Sequence, residues 1–304
     1  MSGSLLEIKK KIGGVSNTRK ITKAMQLVAA SKMQKFQKKA ITAREFVWDL
    51  LDVLDNNIEQ DSQSLYTAQR DGKKVLFVLY TSDKGLCGPL NTKLINALFR
   101  SDKWKNLDSS ERLLITIGKK AQAYTDANKI PVLKNFQGIP ENLSNLDAIP
   151  VINEILELWQ NETDISEVMF VAPHYKNSFT FYPILKTFLP FSREAIESHK
   201  DIPEEEPQEK VLKDNQFMIF SPEDPEVVLQ RLFEQIVQAI FIQSFMELKA
   251  SEYSSRMIAM QNATDSATNM ISDLKRVFNK ARQQAITQEI AELIGASMAL
   301  ADED

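Results

Sequence analysis

Pro225 is the last proline of this 304-residue chain. Beyond it Tyr253, Met257, Met260, Thr264, Ala267, Ile271, Leu274, Phe278, Ala281 and Ala285 follow in unbroken alternating steps of four and three. Those steps are the repeat of a helix that presents one seam to a partner. Asp224 is placed to cap such a helix and Pro225 suits its first turn, so the spacing predicts a helix from Asp224 to about Leu300. At 1.5 Å per residue it would be roughly 110 Å long, more than any single globular core needs. A second stripe begins near Ser4 and runs through Ile8, Ile12, Val15, Thr22, Met25, Ala29, Met33, Phe36, Ala40, Ala43, Val47, Leu50 and Leu54, with one four-residue slip after Ala29. Both seams carry small residues, Ala29, Ala40 and Ala43 on one and Ala267, Ala281 and Ala285 on the other. The simplest arrangement is an antiparallel coiled coil of the two terminal helices.

Between them the period changes. KVLFVLY (Lys74 to Tyr80), RLLITIG (Arg112 to Gly118), PVLKNF (Pro131 to Phe136) and EVMFVAP (Glu167 to Pro173) are short apolar runs, separated by helical candidates at Asn91–Phe99, Lys119–Ala127 and Leu146–Trp159. Strand alternating with helix predicts an α/β domain built on a doubly wound, mostly parallel, Rossmann-like sheet. FTFYPILKTFLP adds an edge strand, because Pro183 has no N–H for a central ladder. SHKDIPEEEPQEK (Ser198 to Lys210) reads as an exposed acidic loop before QFMIF resumes β structure. The expected division is 1–60 for the N-terminal shaft helix, 72–221 for the central α/β domain and 222–304 for the C-terminal shaft helix.

Composition narrows the chemistry. The one cysteine, Cys87, excludes an internal disulfide and fits a reducing compartment. With only His174 and His199 beside it, a zinc or haem site is not expected. No run of about 18 apolar residues spans a membrane, and MSGSLLEIKKK lacks the apolar segment of an export signal, so a cytoplasmic chain is expected. YTSDKGLCGPLNTK follows the first strand and opens a helix, where Gly85 and Gly88 could bring backbone N–H groups to a phosphate. The pattern matches neither G-x-G-x-x-G nor G-x-x-x-x-G-K-[ST], and a tight turn explains it equally. Cys87 as a nucleophile would need His174 as its base, against a semi-buried structural role. Asp83 and Lys84 read as a capping residue and a solvated neighbour. No catalytic residue, cofactor or metal site is assigned.

One feature demands a partner. Eleven Lys and Arg and no carboxylate lie between Lys9 and Arg44, in a chain whose net charge is −4. Such a helix forgoes every i, i+4 ion pair, and like-charge neighbours cost a few tenths of a kcal/mol each. The anion that offsets this could be nucleic acid, an anionic membrane surface or an acidic protein. Phe36 is the segment's one aromatic, with Phe46 just beyond, so a base-stacking platform is missing. An acidic protein leads; a coiled-coil nucleic-acid binder and a stand-alone phosphate-handling enzyme are the alternatives.

Three stretches, IKKKIGGVSNTRKITKAMQLVAASKM (Ile8 to Met33), TSDKGLCGPLN (Thr81 to Asn91) and the segment from Ser251 to Leu300 that contains SSRMIAM and KARQQAITQE, resemble the gamma-subunit family of the rotary proton-translocating ATP synthase, in its bacterial form. The resemblance implies a non-catalytic rotor shaft. Its terminal helices would turn inside three alpha and three beta subunits, with an epsilon subunit and the membrane c-ring as further partners and no nucleic acid. It implies a peripheral place on the cytoplasmic face of the bacterial plasma membrane, with membrane contact only through the complex. By motif, Lys23 and Met25 would lie near an acidic beta-subunit loop, with Arg256 in the same contact set. Arg282 with Gln283 would grip such a loop, and Thr287, Gln288 and Glu289 would extend that patch. IGASMAL would turn in an apolar sleeve. The family's usual glycine pair is Gly88-Pro89 here, and Ser221 stands where a glutamate often meets the membrane ring. Gly13 and Gly14, in the middle of a helix, suggest a bend or a close contact.

Overall fold

In a computed structural model of the chain, residues 2–57, 64–200 and 225–301 are described. The element order is α1 (Ser2–Asn57), β1 (Lys74–Tyr80), α2 (Leu90–Phe99), α3 (Asp102–Lys105), β2 (Arg112–Ile117), α4 (Lys119–Ala127), β3 (Lys134–Phe136), α5 (Asn145–Asn161), β4 (Ile165–Tyr175), β5 (Phe181–Leu189), α6 (Arg193–Lys200) and α7 (Pro225–Ala301). The chain divides into two compact units, residues 1–29 with 257–304 and residues 30–256, so α1 and α7 each contribute to both. The division falls where the stripe of α1 changes step, after Ala29.

In the first unit, Thr22 and Thr264, both predicted seam positions, share a hydrogen bond of 2.8 Å between their hydroxyls. Thr22, Met260, Ala267 and Ile271 are buried and their neighbours face outward, as a single seam requires. Gly13 and Gly14 lie inside the continuous α1, and a Cβ built on either meets nothing within 4 Å. The close contact expected there has no partner within the described chain.

In the second unit the two long helices are antiparallel, since Phe36 stacks on Tyr253 at 5.5 Å and Arg44 reaches back to Glu247 at 3.0 Å. Beside them lies a five-stranded sheet in the order β3-β2-β1-β4-β5, parallel except for β5, which runs antiparallel to β4 at the edge. Pro183 pairs in register with Pro173 there, where two missing donors cost least. Phe77 and Tyr80, three apart on β1, point to opposite faces. Phe77 meets Trp104 of α3, and Tyr80 meets Phe170 of β4 and Phe241 of α7. Cover on both faces explains why β1 reads as a continuous apolar run. It also explains α7, which from Phe245 to Arg256 is buried at every position, charged residues included. A helix wedged between a sheet and another helix has no solvent face.

β1 and α4 match their predicted bounds, and β3 is shorter than expected, Lys134–Phe136. The acidic loop begins later than expected, because Ser198–Lys200 close α6. The rest of that loop, QFMIF, Ser221 and the Asp224 cap lie outside the described residues.

Candidate partner-binding surfaces

The β1–α2 loop would be the phosphate cradle of a nucleotide-binding α/β domain, so its interior decides what the domain can hold. Gly88 and Leu86 take positive φ, 55° and 61°, which turns the chain sharply into α2. Three polar groups of the loop are already engaged. Ser82 N donates to Asn91 Oδ1 at 3.0 Å, Ser255 Oγ of α7 donates to the Cys87 carbonyl at 2.6 Å, and Arg256 donates to the Gly85 carbonyl at 3.2 Å. Cys87 is buried, its sulfur against Asn91 Nδ2 at 3.2 Å. His174, its candidate base, is turned instead to Glu247 at 3.2 Å. Asp83 caps α4 from outside, accepting from Lys119 N at 3.0 Å and Gly138 N at 3.2 Å, while Lys84 is exposed. A doubly wound sheet takes its ligand where strand order reverses, here between the ends of β1 and β4. Helix α7 occupies that place, bonding the β1–α2 loop through Ser255 and the end of β4 through Glu247. The loop is a turn clamped to α7 through its carbonyls, and the Cys87 thiol lacks its candidate base, because His174 is held by Glu247.

The cations of α1 separate into two sets. Arg44 is spent internally on Glu247 and on the Tyr175 carbonyl, at 3.0 and 2.6 Å. Lys32 donates to Glu141 at 2.6 Å and to Tyr253 at 3.1 Å. The hydrogen bond to Glu141 raises the Lys32 pKa, and burial pushes the Tyr253 hydroxyl up to about 12. These partners stand 109 to 221 residues away in sequence, so the carboxylate-free run borrows them. Contrary to expectation one i, i+4 pair does form, Lys11 with Glu7 just ahead of the run at 3.0 Å. Lys9, Lys10, Lys20, Lys23, Lys35 and Lys38 remain exposed. Near Lys23 and Lys20, the apolar Ile21, Leu27 and Val28 are each about 60% exposed.

The predicted contact residues fall in different surroundings. Lys23 is exposed, with Nζ on Gln26 Oε1 at 3.2 Å, and Met25 is half-buried beside the seam. Arg282, Gln283, Thr287, Gln288 and Glu289 are all exposed near the end of α7. There Thr287 donates to the Gln283 carbonyl and Gln288 to Glu292. At the register of the Thr22–Thr264 pair, Ser2 comes level with about residue 284, so the last turns of α7 run past the start of α1. Ile286, Ile290, Leu293 and Ile294 form an exposed apolar stripe there, a surface that asks for cover. Arg256 differs: it is 7% exposed, bound to Glu252 at 2.7 Å and lies 5.2 Å over the Tyr253 ring.

Sequence reasoning passed over Glu247, Glu252 and Glu141. The available signal was FMELKASEYSSRM, four charged groups in the one stretch of α7 that the sheet and α1 enclose.

A family model described as ATP synthase matches residues 4–300. The chain is 33% identical to the ATP synthase gamma chain of Polynucleobacter necessarius, over 98% of this chain and 99% of the relative. It is 32% identical to that of Rippkaea orientalis, over 98% and 99%, and 30% identical to that of Glaesserella parasuis, over 97% and 98%. Its backbone resembles a chain of the Euglena gracilis mitochondrial ATP synthase (OSCP/F1/c-ring, rotational state 3) with a TM-score of 0.66 at 17% identity, over 99% of this chain and 95% of that one. It also resembles a chain of the Tetrahymena thermophila central stalk and c-ring, with a TM-score of 0.56 at 23% identity, over 80% and 99%. At those identities the structural likeness speaks for the fold.

Proposed function

Because the chain belongs to the ATP synthase gamma-chain family, we propose that it is the central rotor shaft of a bacterial rotary ATP synthase, non-catalytic itself, turning within three alpha and three beta subunits. The observation that carries this is the pair of terminal helices matched to the family end to end, with a basic face on one and an uncovered apolar tip on the other. An asymmetric shaft touches each of three chemically identical catalytic subunits differently. Its orientation then biases each one's nucleotide affinity by differential contact energy, so ion flow through a membrane c-ring is exchanged for ATP synthesis or hydrolysis on the ring.

The exposed Lys23, with Met25 at the seam edge, faces an acidic beta-subunit loop, and Arg282, Gln283, Thr287, Gln288 and Glu289 grip a second one. Arg256 acts from beneath, holding the Gly85–Cys87 turn. The apolar stripe beyond Ile286 turns in an apolar sleeve, where few directional hydrogen bonds oppose rotation. An epsilon subunit completes the stalk, and the functional parts are 1–60, 72–221 and 222–304. No described helix is long and apolar enough to cross a membrane. In this reading the chain rests on the cytoplasmic face of the plasma membrane through the complex.

The test is reconstitution with alpha and beta subunits of the same host, followed by sizing and ATP hydrolysis. The reading requires a complex of three alpha, three beta and one of this chain, active where the chain alone is not. A chain that stays apart and leaves hydrolysis unchanged would refute it. Within that complex, Arg282→Ala with Gln283→Ala lowers hydrolysis by about tenfold; an unaltered rate removes those residues from the coupling contacts.

A further inference from the structure

One buried carboxylate binds three elements at once. Glu247 on α7, 2% exposed, accepts through Oε1 from Arg44 Nε of α1 and from Gln243 Nε2, both at 3.0 Å. Its Oε2 accepts from the backbone N–H of Tyr175 at 2.8 Å and lies 3.2 Å from His174 Nδ1, both at the end of β4. Arg44 in turn donates to the Tyr175 carbonyl at 2.6 Å. The last residue of β4 is thus held by both its backbone groups, one from each long helix.

The packing around this cluster is apolar: Ile240, Phe241, Phe245 and Leu248 of α7 are each at most 2% exposed. Apolar burial resists separation but is non-directional, so it leaves a helix able to slide or roll by small steps. Hydrogen bonds are directional and weaken steeply when misaligned. Four donors from α1, α7 and β4 on one carboxylate therefore fix the angle as well as the distance. Proton-transfer chemistry on a substrate is a poor alternative, because the adjoining cavity, lined by Arg44, His174, Gln243, Ser244 and Glu247, measures only about 30 Å³, far below what an organic ligand fills.

We propose that Glu247 is a positioning residue for torque transfer: with Arg44 it locks α1 and α7 against the end of β4, so that the α/β domain turns with the two shaft helices instead of slipping on them. This rests on the rotor reading, and the experiment separates the two.

The wild-type chain is first assembled into the complete complex in proteoliposomes. A wild-type chain that does not assemble overturns the rotor reading and this inference with it, before any substitution is made. Glu247→Gln then replaces one acceptor oxygen by an NH2 that faces other donors. With the lock gone, hydrolysis by the alpha-beta ring with the shaft stays within about twofold of wild type, while protons pumped per ATP fall by about fivefold. Should the glutamine chain not fold, Arg44→Met with Glu247→Leu carries the test, since a shape-matched apolar pair leaves no buried charge of the pair unpaired. The same loss of pumping at preserved hydrolysis is expected. Hydrogen exchange at the Tyr175 amide verifies that the bonds have been removed. If that amide exchanges faster while pumping per ATP is unchanged, or if hydrolysis and pumping fall together, Glu247 stabilises the fold and has no part in transfer.

Discussion

Gly118 shows how closely a single residue can be specified. Its φ of 91° lies in the region that favours glycine, and a Cβ there would stand 2.2 Å from the Thr81 carbonyl. Gly118→Ala is therefore expected to cost about 3 kcal/mol or more, read as a fall in melting temperature. Gly13 and Gly14 are the opposite case: both sit in a helix with open space around them. Alanine at either stabilises the isolated chain by up to about 1 kcal/mol, so a loss confined to the assembled complex would place a partner's backbone against them. Glu247 gives a pH dependence. Burial pushes its pKa up, but the His174 hydrogen bond and the Arg44 charge more than offset this and bring it from 4.5 to about 2. A carboxyl depressed in the folded state stabilises fully above its unfolded value and loses that contribution as pH falls from about 4.5 toward 2. The acid limb of an unfolding titration is expected to contain at most about 3 kcal/mol from this group, absent in Arg44→Met with Glu247→Leu. Gly13 and Gly14 stood out in the sequence, but the Glu247 contacts did not, because a glutamate within a helix gives no sign of which distant donors it meets.

Whole elements were far more legible. The regular stripe of α7 and the apolar runs of β1 and β2 are local patterns, and local patterns survive any tertiary arrangement. Helix α3, four residues long, is too short to show a period, and β3 was read from its apolar run but with its start three residues too early. The seam also contains a polar contact that periodicity marks only as two positions, the Thr22–Thr264 pair. Replacing each threonine by valine, singly and together, is expected to show a coupling of about 0.5–1 kcal/mol in a double-mutant cycle on thermal unfolding. Zero coupling would mean that the two hydroxyls are satisfied by their own helices.

For the whole molecule, charge governs how the shaft finds its partners. The exposed lysines of α1 give a predominantly acidic chain one basic surface, and such surfaces act mainly on association rate. Lys20→Gln, Lys23→Gln and Lys35→Gln together are expected to slow assembly with the alpha and beta subunits by about tenfold at low salt, with little difference at high salt, in a time-resolved mixing experiment. An equal slowing at both salts would assign these lysines a packing role. The same helix shows what each level of information decides. By itself the sequence determined that α1 and α7 are long amphipathic helices and that an α/β sheet lies between them, because hydrophobic period is read along the chain. Which lysines and arginines remain for a partner was decided only by the tertiary structure. Lys32 and Arg44 look like the rest of the basic run until folding brings Glu141 and Glu247, 109 and 203 residues away, within hydrogen-bond reach. Closing loops of that length sets pairings that no local pattern encodes. The same closure puts α7 where a doubly wound sheet would otherwise take a ligand, which turns a nucleotide-binding type of domain into one that grips a shaft.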